Sequence, residues 1–249
     1  MVLIKAILPA AGYGTRLYPL TKDKPKALLD VSGRPMIGYV IEKIKELDAV
    51  DAIYIITNDK FYDSFLAWSE KFPSELPVKV INDGTTSNET RLGSIGDIDF
   101  LIDRENIDDD VLIINSDNIF TFSIIDMLSK FNEKKLPFIS AYDVKTAEEA
   151  KKFGVPELDV KNKVIGFEEK PGNPKSTLIS TGIYMFPKST ISLIKRYLNQ
   201  GNSPDKTGEF VIWLCKETDV YCHIFKEGNW LDIGDLKCYE KADEIMKQH

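Results

Sequence analysis

The sequence predicts an α/β fold with a doubly wound, mostly parallel central sheet and an additional small antiparallel lobe. In the first half of the 249-residue chain, short apolar runs alternate with segments of helical periodicity. This alternation is typical of parallel strands joined by helical crossovers on both faces of a sheet. In the second half, several short runs rich in β-forming residues follow one another with only turn residues between them, which favours antiparallel strands.

The first predicted strand is the nearly continuous apolar run from Val2 to Leu8, which ends in Pro-Ala-Ala-Gly. A run without polar alternation indicates burial on both faces, so this strand belongs at the centre of the sheet. After Pro35, apolar residues recur at three- and four-residue spacing up to 47, which predicts an amphipathic helix. Further strands are predicted at 52–56, 78–81 and 111–114, separated by helical segments around 60–72, 93–104 and 123–133.

The second half continues with strands predicted at 138–142, 155–160, 164–169 and 179–186, each bounded by turn residues. Helices are predicted near 188–199 and 207–217, followed by a strand at 220–225 and a last helix from about Asp235. The chain has no internal repeat, low-complexity tract or clear linker. We therefore expect a single domain over residues 1–249.

Composition and charge exclude several functional classes. The formal net charge of -7 argues against general nucleic-acid binding, which depends on Lys and Arg at phosphates. The three cysteines form no Cys-x-x-Cys pair, and only His223 and His249 could join them, so neither a zinc site nor a disulfide framework is expected. The amino terminus lacks the pattern of a signal peptide, and no apolar run is long enough to span a bilayer. We expect a reduced, cytoplasmic protein without a membrane partner.

A long polar connection, residues 9–26, separates the first strand from the first helix. Long loops in compact domains are usually functional. Gly12 and Gly14 allow backbone amides to approach an anion closely. Hydroxyl and cationic donors accompany them at Thr15, Arg16, Lys22, Lys24 and Lys26. This composition suits a triphosphate.

A Gly-x-Gly sequence alone is also frequent in simple strand-to-helix turns, so its neighbours decide the interpretation. A dinucleotide-binding fingerprint needs a third glycine where Leu17 stands, and Pro19 follows soon after. A Walker P-loop needs a Gly-Lys-Ser/Thr ending that the loop lacks. Both of these phosphate-binding motifs are therefore excluded.

The stretch from Leu8 to Met36 resembles the amino-terminal signature of the sugar-1-phosphate nucleotidylyltransferases, the NTP_transferase enzymes of Rossmann-like, glycosyltransferase-A-like fold. Their Gly-x-Gly-Thr-Arg-Leu turn and Pro-Lys pair stand here as Gly12-Tyr-Gly-Thr-Arg-Leu17 and Pro25-Lys26. The resemblance implies that residues 1–135 form a nucleotide-binding half and residues 136–249 an acceptor-binding half with the last helix. It also implies that Ala11, Gly12 and Gly14 cradle the nucleotide, that Arg16 holds the departing pyrophosphate and that Lys26 steadies the phosphates.

Two aspartates lie in contexts similar to the metal-binding positions of this family. Asn115-Ser-Asp-Asn118 follows the apolar run at 111–114, and Trp230-Leu-Asp-Ile-Gly234 resembles the family's Trp-x-Asp-x-Gly. An aspartate after a strand is, taken alone, more often a turn or cap residue. The resemblance of both contexts implies that Asp117 and Asp232 together hold one Mg²⁺, an ion that binds carboxylates and phosphate oxygens.

The acceptor site is implied by two further segments. Gly166-Phe-Glu-Glu-Lys-Pro171 matches the family's Glu-Lys-Pro segment, and Ser180-Thr-Gly-Ile-Tyr184 resembles its following strand. From the residues alone, such a charged cluster would be an exposed strand end. By resemblance, Glu169 contacts sugar hydroxyls, Lys170 pairs with the acceptor phosphate, and Gly154 and Thr181 complete the pocket.

The region that would select the nucleobase departs from the family pattern. Leu92 to Gly96 matches its Leu-Gly-x-x-Gly entry to a helix, but the residues from Ile81 to Arg91 differ from the usual sequences. The base therefore stays open. Gly93 is a candidate backbone contact to the base, and Asn82 is a candidate side-chain contact.

These residues together predict a Mg²⁺-dependent nucleotidyltransferase that joins a nucleoside triphosphate to a sugar 1-phosphate by in-line displacement and releases pyrophosphate. The acceptor phosphate is already an anionic nucleophile, so Arg16, Lys26 and Lys170 act by positioning and charge neutralisation. Relatives of this family commonly self-associate, so a homo-oligomer agrees with the resemblance.

Three alternatives stay open. A CTP-dependent cytidylyltransferase acting on phosphocholine or an inositol phosphate would share the amino-terminal loop, and a choline site would need an aromatic cage. Candidates for that cage are Trp68, Trp213, Trp230 and Tyr142. A non-catalytic nucleotide-sugar sensor or regulatory subunit would keep the same fold. A binding module without small-molecule chemistry would leave the 9–26 loop unexplained.

Overall fold

The computed structural model describes residues 3–247. Val2, the first residue of the first predicted strand, and the candidate ligand His249 lie outside the described residues. The strands are β1 Ile4–Pro9, β2 Asp30–Val31, β3 Arg34–Pro35, β4 Val50–Thr57, β5 Val78–Asn82, β6 Asp110–Ile114, β7 Asn118–Phe120, β8 Phe138–Asp143, β9 Gly154–Leu158, β10 Val164–Glu169, β11 Leu178–Phe186, β12 Tyr221–Phe225 and β13 Trp230–Asp232. The α-helices are α1 Met36–Lys45, α2 Tyr62–Ser69, α3 Ser94–Glu105, α4 Ile125–Lys134, α5 Ala147–Ala150, α6 Lys188–Asn199, α7 Thr207–Glu217 and α8 Leu236–Met246.

Seven strands form the central sheet in the order β12-β8-β11-β6-β1-β4-β5. β1 pairs in parallel with β4 and β6, and β5 pairs in parallel with β4. β11 is antiparallel to both of its neighbours, β6 and β8, whereas β12 is parallel to β8. The sheet is therefore mostly parallel, which confirms the predicted fold class.

Helices cover both faces of this sheet because the strand residues alternate between two apolar cores. Ile4, Ala6 and Leu8 of β1 pack with α1, α2 and α4 in one core. Ile7 points to the other face and packs with α3, α6 and α7. All four of these β1 residues are at most 1% exposed, which explains why the run has no polar alternation. The doubly wound arrangement is confirmed.

The predicted antiparallel lobe is smaller than the four runs suggested. Only β9 and β10 form a separate antiparallel hairpin, whereas β8 and β11 are inserted into the central sheet. The difference follows from burial: Phe138 and Ile139 on β8 are both buried although they point to opposite faces, while Ile165 on β10 is exposed. A strand buried on both faces belongs in a sheet that is covered by helices.

The carboxyl ends of β1, β4, β5 and β6 lie along one edge of the sheet, where ligands usually bind in open α/β folds. The loop after β1 leaves from this edge and contains only two short 3-10 turns, Thr15–Leu17 and Lys26–Leu28. A two-stranded pairing of β7 with β13 brings the carboxyl-terminal part of the chain to the same edge. No helix in the described part of the chain is long and apolar enough to cross a membrane.

Candidate active site

The loop after β1 is held by side chains that bind its backbone. The buried Asn58 donates from Nδ2 to the carbonyl of Ala11 at 2.7 Å, and Thr21 Oγ1 donates to the carbonyl of Gly14 at 2.7 Å. Gly14 has φ 62° and lies against the Thr21 side chain, so a residue with a Cβ would be strained and crowded there. At Gly12 no atom approaches a Cβ position within 4 Å, so its backbone is open on that side.

A cavity of about 320 Å³ lies between this loop and the start of α3. Its cationic end, as we call it, is lined by Ala11, Gly12, Gly14, Arg16, Lys26 and Asp117. Its acidic end is lined by Arg91, Gly93, Ser94, Asp97 and Asp205. Pro9, Ala10, Asn115 and Ser116, at the carboxyl ends of β1 and β6, form part of the remaining lining. The glycine loop and the first metal-binding candidate therefore share one cavity.

The structure brings Asp117 and Asp232 together. Asp232 pairs with Asn118 across the β7–β13 ladder, and the amide of Ile233 donates to the carbonyl of Asp117 at 3.3 Å. Lys26 Nζ lies 2.6 Å from Asp117 Oδ2. Two aspartates that are 115 residues apart in the sequence thus meet beside the amino-terminal loop.

Three of the predicted cations act electrostatically on Asp232. Burial, and then the nearby Asp117, raise the pKa of Asp232 to about 6, while Lys26, Arg16 and Lys170 act to lower it. Burial and a like charge both disfavour ionisation, and the three cations oppose them. Arg16, Lys26 and Lys170 are therefore near enough to act on a ligand bound at this acid pair.

This acid pair fits a hard divalent cation. Within residues 3–247 no group of three or more His, Cys, Asp and Glu side chains could hold a metal. Two carboxylates would leave the other coordination positions to phosphate oxygens and water, which is how Mg²⁺ usually binds in phosphate sites. A zinc site would need more protein ligands than the structure provides.

The predicted acceptor residues lie next to this centre. Burial raises the pKa of Glu169, although Lys170 and Lys206 act in the opposite direction. The Glu169 carboxylate lies against Gly154 and Gly208, and a Cβ at Gly208 would overlap its Oε2 atom. The two glycines therefore leave the space that this carboxylate occupies.

Thr181 contributes through its backbone. Its side chain is fully buried, and its hydroxyl hydrogen-bonds with Ser140 in the sheet. Its carbonyl accepts hydrogen bonds from Asn118 Nδ2 at 2.8 Å and from Trp230 Nε1 at 3.2 Å. Thr181 thus joins the two segments that carry the aspartates, while its hydroxyl is occupied by Ser140.

The candidate aromatic cage is only partly assembled. The rings of Trp230 and Tyr142 have centroids 6.5 Å apart, and Phe153 contacts Trp230 edge-on at 5.1 Å. Trp68 packs on Phe72, which follows the end of α2, and Trp213 packs on Tyr197 and Phe210 in another core. Trp213 therefore belongs to a different core, and Trp68 shares a core with Tyr142 and Trp230 but packs on Phe72 instead of on their rings.

The candidate base-contacting residues separate in the structure. Gly93 lines the cavity with φ 82°, and a Cβ there would lie 2.7 Å from the carbonyl of Pro204. Asn82 Nδ2 donates to Asp59 Oδ1, and Asn82 Oδ1 accepts from the Gly84 amide, both at 2.8 Å. Asn82 is not part of the cavity lining, and the same holds for Thr15, Lys22 and Lys24, which are exposed.

Several cavity residues were not identified from the sequence. Arg91 donates to both carboxylate oxygens of Asp205, at 3.2 and 3.0 Å, and so joins the loop before α3 to the loop before α7. Asp97 is only 6% exposed although aspartate is a residue type that is normally found at the surface. Its position among the apolar residues Ile95, Ile98 and Leu101 of a predicted helix was the available signal.

Known proteins share the sequence pattern of this chain. The sequence profile of the family described as "Nucleotidyl transferase" matches residues 5–249. The bifunctional protein GlmU of Methanocaldococcus jannaschii is 33% identical over 229 residues, which cover 92% of this chain and 51% of that protein. Glucose-1-phosphate adenylyltransferase 1 of Vibrio parahaemolyticus is 27% identical over 270 residues, covering 97% of this chain and 66% of that protein.

The fold is also shared with solved structures. A crystal structure of UDP-glucose pyrophosphorylase complexed with UDP-glucose superposes with a TM-score of 0.83 at 20% identity, covering 99% of each chain. At this identity the likeness concerns the fold. The present chain spans about half the length of the GlmU relative.

Proposed function

The chain belongs to the nucleotidyl transferase family, and from this premise we propose that it transfers a nucleoside monophosphate from a nucleoside triphosphate to a sugar 1-phosphate. The products are a nucleoside diphosphate sugar and pyrophosphate. The observation that carries the proposal is the convergence of Asp117 and Asp232 with Arg16, Lys26 and Lys170 beside the glycine loop.

The reaction is an in-line displacement at phosphorus. An oxygen of the acceptor phosphate forms a bond to the α-phosphorus, the bond from that phosphorus to the bridging oxygen breaks, and pyrophosphate leaves with the electron pair. The nucleophile is already an anion, so no general base is needed. Catalysis is then mostly positioning and stabilisation of charge on the phosphates. Arg16 and Lys26 bind the triphosphate, and Lys170 binds the acceptor phosphate.

Asp117 and Asp232 would hold Mg²⁺ in this proposal, and the bound ion would neutralise charge on the phosphate oxygens. The ammonium group of Lys26 lies 2.6 Å from Asp117 Oδ2 and therefore beside the acid pair. Lys26 and the acid pair therefore act on the same part of the triphosphate.

A sugar acceptor is supported by Glu169. Its carboxylate lies between Gly154 and Gly208 and is half-buried, so a hydroxyl group can donate to it in a site with little competing water. The adjacent Lys170 acts on the acid pair as well, which links the sugar contact to the reacting phosphate. A quaternary ammonium group would instead require an aromatic cage, of which Tyr142 and Trp230 are the adjacent members.

The experiment that tests the proposal is a pyrophosphate-release screen of the purified chain. ATP, CTP, GTP, UTP and dTTP are each combined with hexose 1-phosphates, phosphocholine and inositol phosphate, with and without Mg²⁺, and products are identified by mass spectrometry. We expect Mg²⁺-dependent release with a hexose 1-phosphate. Release with phosphocholine or inositol phosphate alone would favour a cytidylyltransferase. A nucleotide sugar that binds without turnover in any combination would favour a sensor.

A further inference from the structure

The acidic end of the cavity contains a pair of aspartates that the proposed reaction does not use. Asp97 lies in the first turn of α3 and is 6% exposed, and it lines the cavity beside Gly93. Asp83 follows β5 directly and is 7% exposed. The two carboxyl groups lie in hydrogen-bonding contact with each other.

Each aspartate of this pair has one buried carboxylate oxygen without a hydrogen-bond donor among the described residues. Asp83 Oδ1 accepts from the amide of Thr85 at 2.6 Å and from its hydroxyl at 2.7 Å. Asp83 Oδ2 and Asp97 Oδ1 are buried and accept no hydrogen bond from any described residue. Two ionised carboxylates here would repel each other and leave two buried acceptors unpaired. One proton between them removes both costs, as in other close carboxyl pairs.

The surroundings favour protonation of Asp97. Burial, and then the neighbouring Asp83 and Asp205, raise the pKa of Asp97 to about 8. The charge of Asp205 is itself neutralised by Arg91. At neutral pH the Asp97 proton is therefore directed to Asp83, and Asp97 presents only acceptor lone pairs to the cavity.

The charge distribution of the cavity orients a nucleotide within it. Phosphates bind at the cationic end, where Arg16 and Lys26 lie. At the acidic end, Arg91 is paired with Asp205 and Asp97 is neutral, so this end attracts phosphate little and can accommodate an uncharged nucleobase. The base of a bound nucleoside triphosphate therefore lies next to Asp97.

We propose that Asp97, held by Asp83, accepts a hydrogen bond from the exocyclic amino group of the nucleobase, so that the chain selects GTP, ATP or CTP over UTP and dTTP. This inference rests on the proposed function and defines its nucleotide class. Adenine and cytosine carry an amino group at the position where uracil and thymine carry the O4 carbonyl, and guanine carries its amino group at C2, where uracil and thymine carry the O2 carbonyl. A carbonyl facing Asp97 would leave two acceptors unpaired, and a site built for a donor rejects such an analogue strongly.

Equilibrium binding tests the inference without requiring turnover. Isothermal titration calorimetry compares GTP, ATP, CTP, UTP and dTTP on the wild type, Asp97→Ala and Asp97→Asn. We expect at least one amino-bearing nucleotide to bind the wild type about tenfold or more tighter than UTP and dTTP. Asp97→Ala should reduce this ratio to about twofold, mainly by weakening the amino-bearing nucleotide. Asp97→Asn should keep the ratio, because its amide can donate to Asp83 while its carbonyl accepts from the base.

The contrary outcomes are distinct. Preferential binding of UTP or dTTP by the wild type, or an unchanged ratio in a folded Asp97→Ala variant, overturns the role of Asp97. If Asp97→Ala is unfolded at the assay temperature, the role of Asp97 is decided by the nucleotide affinity ratios of the wild type and of Asp97→Asn. Selective binding of an amino-bearing nucleotide without turnover on any acceptor counts against the proposed reaction and supports the base contact. Failure of all five nucleotides to bind overturns both.

Discussion

Two pairs of aspartates each place one member on the lining of the same cavity, and their surroundings differ in charge. In the pair formed by Asp117 and Asp232, burial raises the pKa of Asp232 to about 6, and three basic side chains act to lower it. In the pair formed by Asp83 and Asp97, burial raises the pKa of Asp97 to about 8, and the other groups acting on it within residues 3–247 are acidic.

The groups around a buried acid pair therefore determine its chemistry. Beside Lys26, the first pair can remain charged and bind a divalent cation together with phosphates. At the second pair, Arg91 is paired with Asp205 and the groups that act on Asp97 are acidic, so the pair takes up a proton and becomes a neutral hydrogen-bonding group. One cavity thus offers a charged end for the triphosphate and an uncharged end for the base.

The largest effect is expected from breaking the charged pair. Asp117→Ala removes one of the two carboxylates that would hold Mg²⁺, so turnover should fall by about a thousandfold or more. Steady-state pyrophosphate release measures the effect, and circular dichroism checks the fold. Asp126→Ala, an exposed aspartate of α4, is the matched control and should keep wild-type turnover. A rate close to the wild type in Asp117→Ala would refute the metal assignment.

The cations around the charged pair provide the next test. Lys26→Met should lower kcat by about a hundredfold, because the ammonium group that lies 2.6 Å from Asp117 Oδ2 would no longer stabilise charge on the phosphates. Lys24→Met is the control, since Lys24 is exposed two residues earlier in the same loop and does not line the cavity. Equal losses in the two variants would mean that the general charge of the loop matters and that the position of Lys26 does not.

The uncharged pair should be visible in the pH dependence of stability. Asp97 ionises near pH 4 in the unfolded chain, whereas its folded pKa is about 8. Between these values the folded protein holds one more proton, so this group makes the free energy of unfolding decrease as pH rises, by up to about 1.4 kcal/mol per unit. Asp97→Asn cannot ionise and lacks this decrease.

From pH 5 to pH 8, the Asp97→Asn variant should therefore gain more than about 1 kcal/mol of stability relative to the wild type. Urea unfolding at four pH values measures the difference. Asp103→Asn, on the exposed side of the same helix, is the control. A constant difference between wild type and Asp97→Asn across this range would show that Asp97 is ionised in the folded protein.

Most of the fold could be predicted from the sequence because its signals are local. The run at 111–114 and the helical periodicity at 35–47 correspond to Asp110–Ile114 and Met36–Lys45 in the structure. The strand order could not be predicted in the same way. β8 lies between β11 and β12 because its two faces are both covered, and this depends on helices distant in the sequence.

In the candidate site, too, the residues with a local sequence signal could be predicted and the others could not. Asp117 and Asp232 were identified because each stands in a recognisable local sequence, and the structure brings them together. Asp97 carries no such local sequence. Its proposed role depends on its contact with Asp83, which directly follows β5. The residue pattern of one helix does not predict a contact with a strand end.

The smallest effect is expected from Asn82, the side chain that the sequence suggested as a base contact. Its amide is already occupied by Asp59 and the Gly84 backbone, outside the cavity lining. Asn82→Ala should therefore change the ratio of kcat/KM between the preferred nucleotide and UTP by less than about twofold. Asp97→Ala, assayed in parallel, should change the same ratio several times more. If Asn82→Ala instead abolishes the preference, the base is read beside β5, and the buried acid pair has only a structural role.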